Sequence, residues 1–218
     1  RSDLTRGFSI QVTEGAKGDY LPLDTTSTAA CAQPNEEALY FFRAICTLCQ
    51  EQNLSLVLLK TPRMNWYVSE YNTVHALAEE YGLPYLDFNT DQLTQAIGFN
   101  YATDILKDAE THLNLSGAQK LTAYLGNYLT AHCPVRDIRT NPTYGYMAEE
   151  LTAYRQRLND ANLTLVEDCK AYLSRLYRNR YSILVAVNPA GSNAYPADVK
   201  RALEQLGLDT RATSGGSY

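Results

Sequence analysis

The sequence predicts an α/β protein organised on a short parallel sheet, and three adjoining stretches predict it. Leu54 to Leu59 is a nearly continuous apolar run, the mark of a strand buried on both faces. A helical pattern follows over 67–81, with Tyr71, Val74, Ala78 and Tyr81 on one side, and Gly82 and Pro84 stop it. Tyr85 to Phe88 then reads as a second strand. Strand, helix, strand in this order gives a parallel pair joined by a right-handed crossover.

The remaining elements follow in order. Residues 1–34 are polar and irregular. Phe8, Ile10 and Val12 alternate, which suits a short edge strand over 8–12. Gly15, Gly18, Pro22 and the run 25–28 read as loop. Asn35 can cap a helix reaching about Gln52, with Ala38, Phe41, Phe42, Ile45, Leu48 and Cys49 as its apolar stripe. Residues 60–66 form the loop at the carboxyl end of the first strand. Asn89 to Gly98 makes a short helix and 99–115 a long loop. A helix over 116–131 carries Leu121, Tyr124, Leu125, Tyr128 and Leu129 at helical spacing. Ser116 and Gln119 have the spacing of a capping box at its start.

Pro134 to Tyr146, with Pro142 and Gly145, reads as a linker between a unit at 1–133 and a unit at 147–218. The second unit opens with a helix over 147–161 on Leu151, Tyr154 and Leu158. Thr164 and Glu167 form a second capping box for a helix to about Arg178. Tyr181 to Val187 reads as a strand. Pro196 suits the first turn of a helix that Gly207 ends, and 209–213 suits one more strand.

Composition narrows the function. At 218 residues the chain can bury one core, with room for a small second unit. Its net charge of −5 and the absence of a basic cluster argue against a nucleic-acid partner. No stretch approaches the roughly 20 apolar residues of a membrane span, and no signal peptide is visible. The chain opens on Arg1, so it reads as a trimmed or mature fragment. Five cysteines leave at least one thiol unpaired, so no disulfide framework is expected. Cys46 and Cys49 form a C-x-x-C inside a helical pattern with no second pair, which reads as small core residues before it reads as a redox or zinc motif. No metal spacing or phosphate loop is present, and no cofactor is expected.

The stretch that carries chemistry is Asp108-Ala-Glu110-Thr-His112-Leu-Asn114-Leu-Ser-Gly117-Ala-Gln-Lys120-Leu-Thr. It places a histidine in a polar loop, acids upstream and a helix start downstream. An imidazole there suits proton transfer near neutral pH. The pattern His-Leu-Asn-x-x-Gly-Ala-x-Lys-x-Thr resembles the C-terminal signature of SGNH (GDSL-type) hydrolases. Within that family it looks like the bacterial cell-surface branch that includes O-acetyltransferase-like proteins. The resemblance covers roughly 35–130 and implies a three-layer flavodoxin-like parallel sheet, here partial, with a small α/β unit appended. It implies His112 as the base of a Ser-His-Asp triad. Its acid is Asp108, four residues upstream, with Glu110 the alternative, because Ala109 stands where the family has Asp. From Tyr181 onward the chain is faintly similar to the interleukin-like EMT-inducer (PANDER-type) domain.

The family's Gly-Asp-Ser nucleophile block and its Gly and Asn oxyanion blocks have no counterpart. The nearest string, Gly18-Asp19-Tyr20, lacks the serine. The resemblance therefore implies an esterase or O-acyltransferase for an acylated surface glycan or small ester, represented by its acid/base half, with a missing N-terminal half supplying the nucleophile. It implies an extracellular or bacterial cell-surface location. Loops at the carboxyl ends of a parallel sheet bind ligands, which brings Lys60, Arg63, Trp66, Asn89, Asp91, Asp108 and His112 to one rim; Lys60, Arg63 and Trp66, with Asn114 of the motif, are the substrate-binding candidates. Each has a plainer role: His112 as a polar loop residue, Asp108 and Glu110 as solvated acids, Trp66 as packing, and Lys60 and Arg63 as a wet rim. His75 and His132 read as structural. The 17 tyrosines suggest a carbohydrate surface, but many fall on inward helical positions. A non-enzymatic module binding glycan or protein, or a degenerate SGNH scaffold, is the competing reading.

Overall fold

The computed structural model describes residues 9–13, 23–106, 112–178, 181–183 and 196–209. It forms two compact units: Gln11–Ile138, and Arg139–Tyr218 together with Arg1–Ile10.

In the Gln11–Ile138 unit the order is α1 (Glu36–Glu51), β1 (Leu58–Lys60), α2 (Val68–Tyr81), β2 (Tyr85–Asp87), α3 (Asp91–Ala96), α4 (Tyr101–Asp104) and α5 (Leu115–His132). Asn35 caps α1, its Oδ1 accepting from the Glu37 and Ala38 N–H groups. Gly82, at φ 62°, ends α2 in the left-handed region that glycine enters without a Cβ penalty. The segment before α1 is stitched to α2: the Ala32 N–H donates to Ser69 O, and the Asn72 amide and Thr73 hydroxyl donate to Ala29 O and Ala32 O.

β1 and β2 pair in parallel, with Leu58 opposite Tyr85, Leu59 opposite Leu86 and Lys60 opposite Asp87. The strand–helix–strand reading meets the structure here. The three-layer flavodoxin-like sheet does not. The chain is mostly helical, and its only sheet among the described residues has two strands. The apolar run that suggested a strand buried on both faces is paired only from Leu58, and Leu54 and Leu59 are 59% and 44% exposed. Residues 9–13 form no edge strand; Gln11 O and Thr13 O instead accept from the Leu115 N–H and the Asn114 amide. In the second unit 181–183 is not a strand, and the rest of that expected strand lies outside the described residues, as does nearly all of 209–213.

Apolar side chains that a wider sheet would use are spent on helix packing. The core gathers Leu86 and Phe88 from β2 and its exit, Ile97, Phe99, Tyr101 and Ile105 around α3 and α4, and Leu121 from α5. Phe88 meets Tyr124 of α5 edge-on, with centroids 5.3 Å apart. The inward stripe expected of α1 is also corrected. Cys46 is buried and Phe42 meets Tyr81 edge-on, but Phe41, Ile45 and Leu48 are exposed.

The other unit contains a 3-10 turn (Pro142–Tyr144), α6 (Tyr146–Leu163), α7 (Cys169–Arg178) and α8 (Ala197–Gln205). Leu173 of α7 is buried against Val199, Ala202 and Leu203 of α8, with Lys170 3.6 Å from Asp198 at the rim. The Thr164/Glu167 capping box is not formed. Thr164 ends α6 and donates to Ala161 O, while the Asp168 carboxylate accepts from the Ala171 N–H. A charged acceptor one residue before the helix takes the cap.

The core predicts its own mutational contrast. Phe88→Ala empties a fully buried site and should cost about 3–5 kcal/mol in urea unfolding. Leu59→Ala, on an exposed strand position, should cost under about 1 kcal/mol. Equal losses would place the core elsewhere.

Candidate functional site

Two buried aspartates organise the Gln11–Ile138 unit. The first, Asp87, ends β2 and is 2% exposed. Its Oδ2 accepts from the Trp66 indole N–H and the Tyr85 hydroxyl, both at 2.7 Å. Tyr85 reaches it because residues two apart on a strand share a face. Its Oδ1 accepts from the Asn89 backbone N–H at 2.9 Å and the Asn89 amide at 2.7 Å. Burial, then the bond to Asp87, pushes the Tyr85 hydroxyl well above its ordinary range. Asp87 is thus a saturated acceptor, which is what a buried carboxylate needs.

The hub fixes the loop after β1. Asn65 adopts φ 57°, a left-handed turn that asparagine tolerates, and the Trp66 N–H is anchored on Asp87. Lys60 Nζ lies 4.2 Å from the Trp66 ring centroid, a cation–π distance. Burial, then the nearby Arg63 charge, lowers the Lys60 pKa, against the opposing pull of Asp87 and Glu70. The Arg63 N–H donates to Asn89 Oδ1 at 2.8 Å, and its side chain turns to Met64 O. Lys60, Arg63 and Trp66 therefore do gather at the carboxyl end of the sheet.

The second aspartate, Asp104, ends α4 and is fully buried. Its Oδ2 accepts from Lys120 Nζ and the Asn100 N–H, both at 2.7 Å, and its Oδ1 accepts from the Ser116 hydroxyl at 2.7 Å. Burial alone would raise its pKa. The bonds from Lys120, Ser116 and the Asn100 N–H, with the Lys120 charge, outweigh that and hold the carboxyl below its ordinary value.

His112 is mounted on this clamp. Its carbonyl accepts from the Leu106 N–H at 2.9 Å, and Ile105 bridges Leu113 in antiparallel fashion. The Asn114 N–H donates to Asp104 O at 3.1 Å. The Asn114 side chain caps α5, accepting from the Gly117 N–H at 3.1 Å and donating to Thr103 O at 2.7 Å and Thr13 O at 3.3 Å. Gly117 lets α5 approach: a Cβ there would lie 2.2 Å from Asp104 O. So the cap of α5 is Asn114, not Ser116, because the Ser116 hydroxyl is turned to Asp104.

The motif thereby divides by role. Asn114, Gly117 and Lys120 build the mount, and His112 is an exposed residue carried on it. The buried amide of Asn114 makes three scaffold bonds. Asp108 and Glu110 lie outside the described residues. The sequence reading placed Asn89 on the rim of the sheet but did not single out Asp87, Asp104 or Lys120. The Asp-x-Asn at the end of the second strand is a turn signal that marks the first pair, and Lys120 belongs to the motif itself. Asp104 has no local mark.

One turn joins the two hubs. Tyr101, at the start of α4, places its hydroxyl 3.4 Å from Asn89 Oδ1. Asp104, at the other end, holds the His112 mount. A four-residue helix spans only about 6 Å.

Among the described residues no group of three or more His, Cys, Asp or Glu is placed to hold a metal ion. No helix among them is long and apolar enough to cross a membrane. No family model, curated protein or solved structure matches the chain.

The depressed pKa of Asp104 fixes a sign. Its contribution to stability is fully present above the unfolded carboxylate value of about 4 and is lost as the pH falls through the lower folded value. The advantage of the wild type over Asp104→Asn in urea unfolding should therefore shrink below about pH 4. An advantage unchanged down to about pH 3 would contradict an ionised clamp.

Proposed function

We propose that the Gln11–Ile138 unit is the acid/base half of an SGNH-like serine esterase or O-acyltransferase acting on an acylated cell-surface glycan or similar ester. The observation that carries this reading is the α4 turn, which ties the segment bearing the exposed His112 to the carboxyl end of β2, where parallel sheets bind ligands.

In this reading His112 takes the proton from a serine hydroxyl as its oxygen attacks the acyl carbon, then returns it to the leaving alcohol. Asp108, with Glu110 as the alternative, orients the ring and stabilises the imidazolium. The serine and the oxyanion donors come from a second segment, an N-terminal half of the same protein. The exposed Leu59 of β1 and the exposed Phe41, Ile45 and Leu48 of α1 support that incompleteness. They are the kind of apolar surface that a further segment would cover. Lys60, Arg63 and Trp66 hold the acyl-bearing sugar; Asn114 acts on the mount and not on the substrate.

The second reading is a non-enzymatic glycan-binding module. The Trp66 ring fixed by Asp87 favours it, since a held indole is a ready sugar platform.

The chain alone should not turn over p-nitrophenyl acetate, because no serine in it has the nucleophile's context. A turnover abolished by a Ser→Ala change within the chain would contradict the assignment. In an NMR titration with an O-acetylated chitooligosaccharide, the Trp66 indole and His112 ring signals should shift together. Trp66→Ala should weaken binding by roughly tenfold, about 1.4 kcal/mol. Shifts at Trp66 without His112 would favour the binding module, and no shift at either would remove both readings.

A further inference from the structure

Two cations stand together at the carboxyl end of the sheet without a carboxylate of their own. Lys60 ends β1, and Arg63 follows in the loop that Asp87 and Asn89 fix. Among the described residues neither forms an ion pair, whereas Lys120 and Lys170 lie within ion-pair distance of Asp104 and Asp198. The ammonium of the half-buried Lys60 has the Trp66 ring beside it, at 4.2 Å, and no hydrogen-bond acceptor among the described residues. It is not sealed in the core, because no buried side-chain nitrogen among those residues lacks a partner. Arg63 donates from Nε to Met64 O and from its main-chain N–H to Asn89 Oδ1. Its terminal guanidinium nitrogens have no acceptor among the described residues. Asp87 and Glu70 are near Lys60, and both are engaged elsewhere. Asp87 accepts from Trp66, Tyr85 and Asn89, and Glu70 accepts from the Tyr67 N–H at 3.0 Å. Burial and repulsion from Arg63 oppose the charge on Lys60, and an anion beside the two cations would offset both.

We propose that Lys60 and Arg63 receive the carboxylate of a uronic-acid residue whose sugar ring lies against Trp66. This rests on the reading of the sheet's carboxyl end as a glycan site and names the charge its ligand carries. A ligand carboxylate supplies the acceptor that both cations lack. The guanidinium offers it a planar fork and the ammonium a point charge. Trp66, anchored on Asp87, gives the sugar an apolar platform beside that charge. A phosphate dianion fits less well, because its second charge would stand against Asp87 and Glu70. The chain's net charge of −5 does not gather anions from a distance. A preference for a charged sugar must therefore come from this local pair.

Trp66 is the only tryptophan in the chain, so its fluorescence reports the site directly. Trigalacturonate titrated into the full chain should change that fluorescence. Its fully methyl-esterified form, the same sugar without the charge, should bind at least about tenfold more weakly. Lys60→Met and Arg63→Gln should each close most of that gap. Arg63→Gln keeps the main-chain bond to Asn89, so it removes the charge without freeing the loop. Equal binding of the acid and its methyl ester would overturn the proposal and leave the glycan reading intact. So would a chain that binds the O-acetylated chitooligosaccharide and ignores trigalacturonate. A gap unchanged in both variants would overturn the assignment to Lys60 and Arg63. Tighter binding of galactose 6-phosphate than of galacturonate would overturn the choice of a carboxylate.

Discussion

The buried carboxylate of Asp104 is the interaction on which the rest of the Gln11–Ile138 unit depends. A bare carboxylate with no exposure would be untenable, because desolvation costs several kcal/mol for an unpaired ion. Lys120, Ser116 and the Asn100 N–H compensate it from three directions. Two of those donors lie on the first turns of α5, so satisfying the charge also draws α5 onto α4. The main chain completes the join: Asp104 O accepts from Asn114, and Gly117 gives it room. Removing Lys120 would leave Asp104 short of a charged partner, a loss of about 2 kcal/mol for one charge-assisted bond. His112 inherits its position from this arrangement.

Asp87 performs a parallel service for the loop after β1. Both aspartates are acceptors at the end of an element, and both convert a flexible exit into a fixed one. The difference lies in the donors. Asp104 is met by a cation, while Asp87 is met by an indole, a phenol and two amide groups of one asparagine. Asp87 thus displays Trp66 beside Lys60 at the sheet's carboxyl end. The two hubs share α4 as a common strut, so Trp66 and the segment carrying His112 are joined through one hydrogen-bonded framework.

Much of the local structure was legible in the sequence, and its limits are physical. Asn35 before an apolar stripe, Gly82 after one and the apolar strand cores each carry a local signal, and α1, α2, β2 and the parallel pair appear where those signals put them. The extent of the sheet was not legible. Leu54 to Leu59 has a strand's composition, but only partners decide how much of it pairs, and three residues find one. The cap of α5 failed for a related reason. Asn114 and Ser116 are both good caps two residues apart, and Asp104, twelve residues upstream of Ser116, decides between them by claiming the serine hydroxyl. The same competition moved the start of α7, where Asp168 outbid Thr164. Of the site, His112, Lys60, Arg63 and Trp66 could be named from the sequence. The aspartates that position them could not, because burial is a tertiary property and Asp104 sits in an unremarkable Ala-Thr-Asp.

The contact between Gly117 and Asp104 holds the segment carrying His112. Amide hydrogen exchange at Leu106 reads it most directly, because that N–H donates to the His112 carbonyl. In Gly117→Ala the added methyl must push α5 off Asp104, and exchange at Leu106 and Asn114 should quicken by about tenfold or more while Leu86 and Phe88 stay protected. Unchanged exchange at Leu106 in that variant would show that the mount stands without the clamp and would contradict the account.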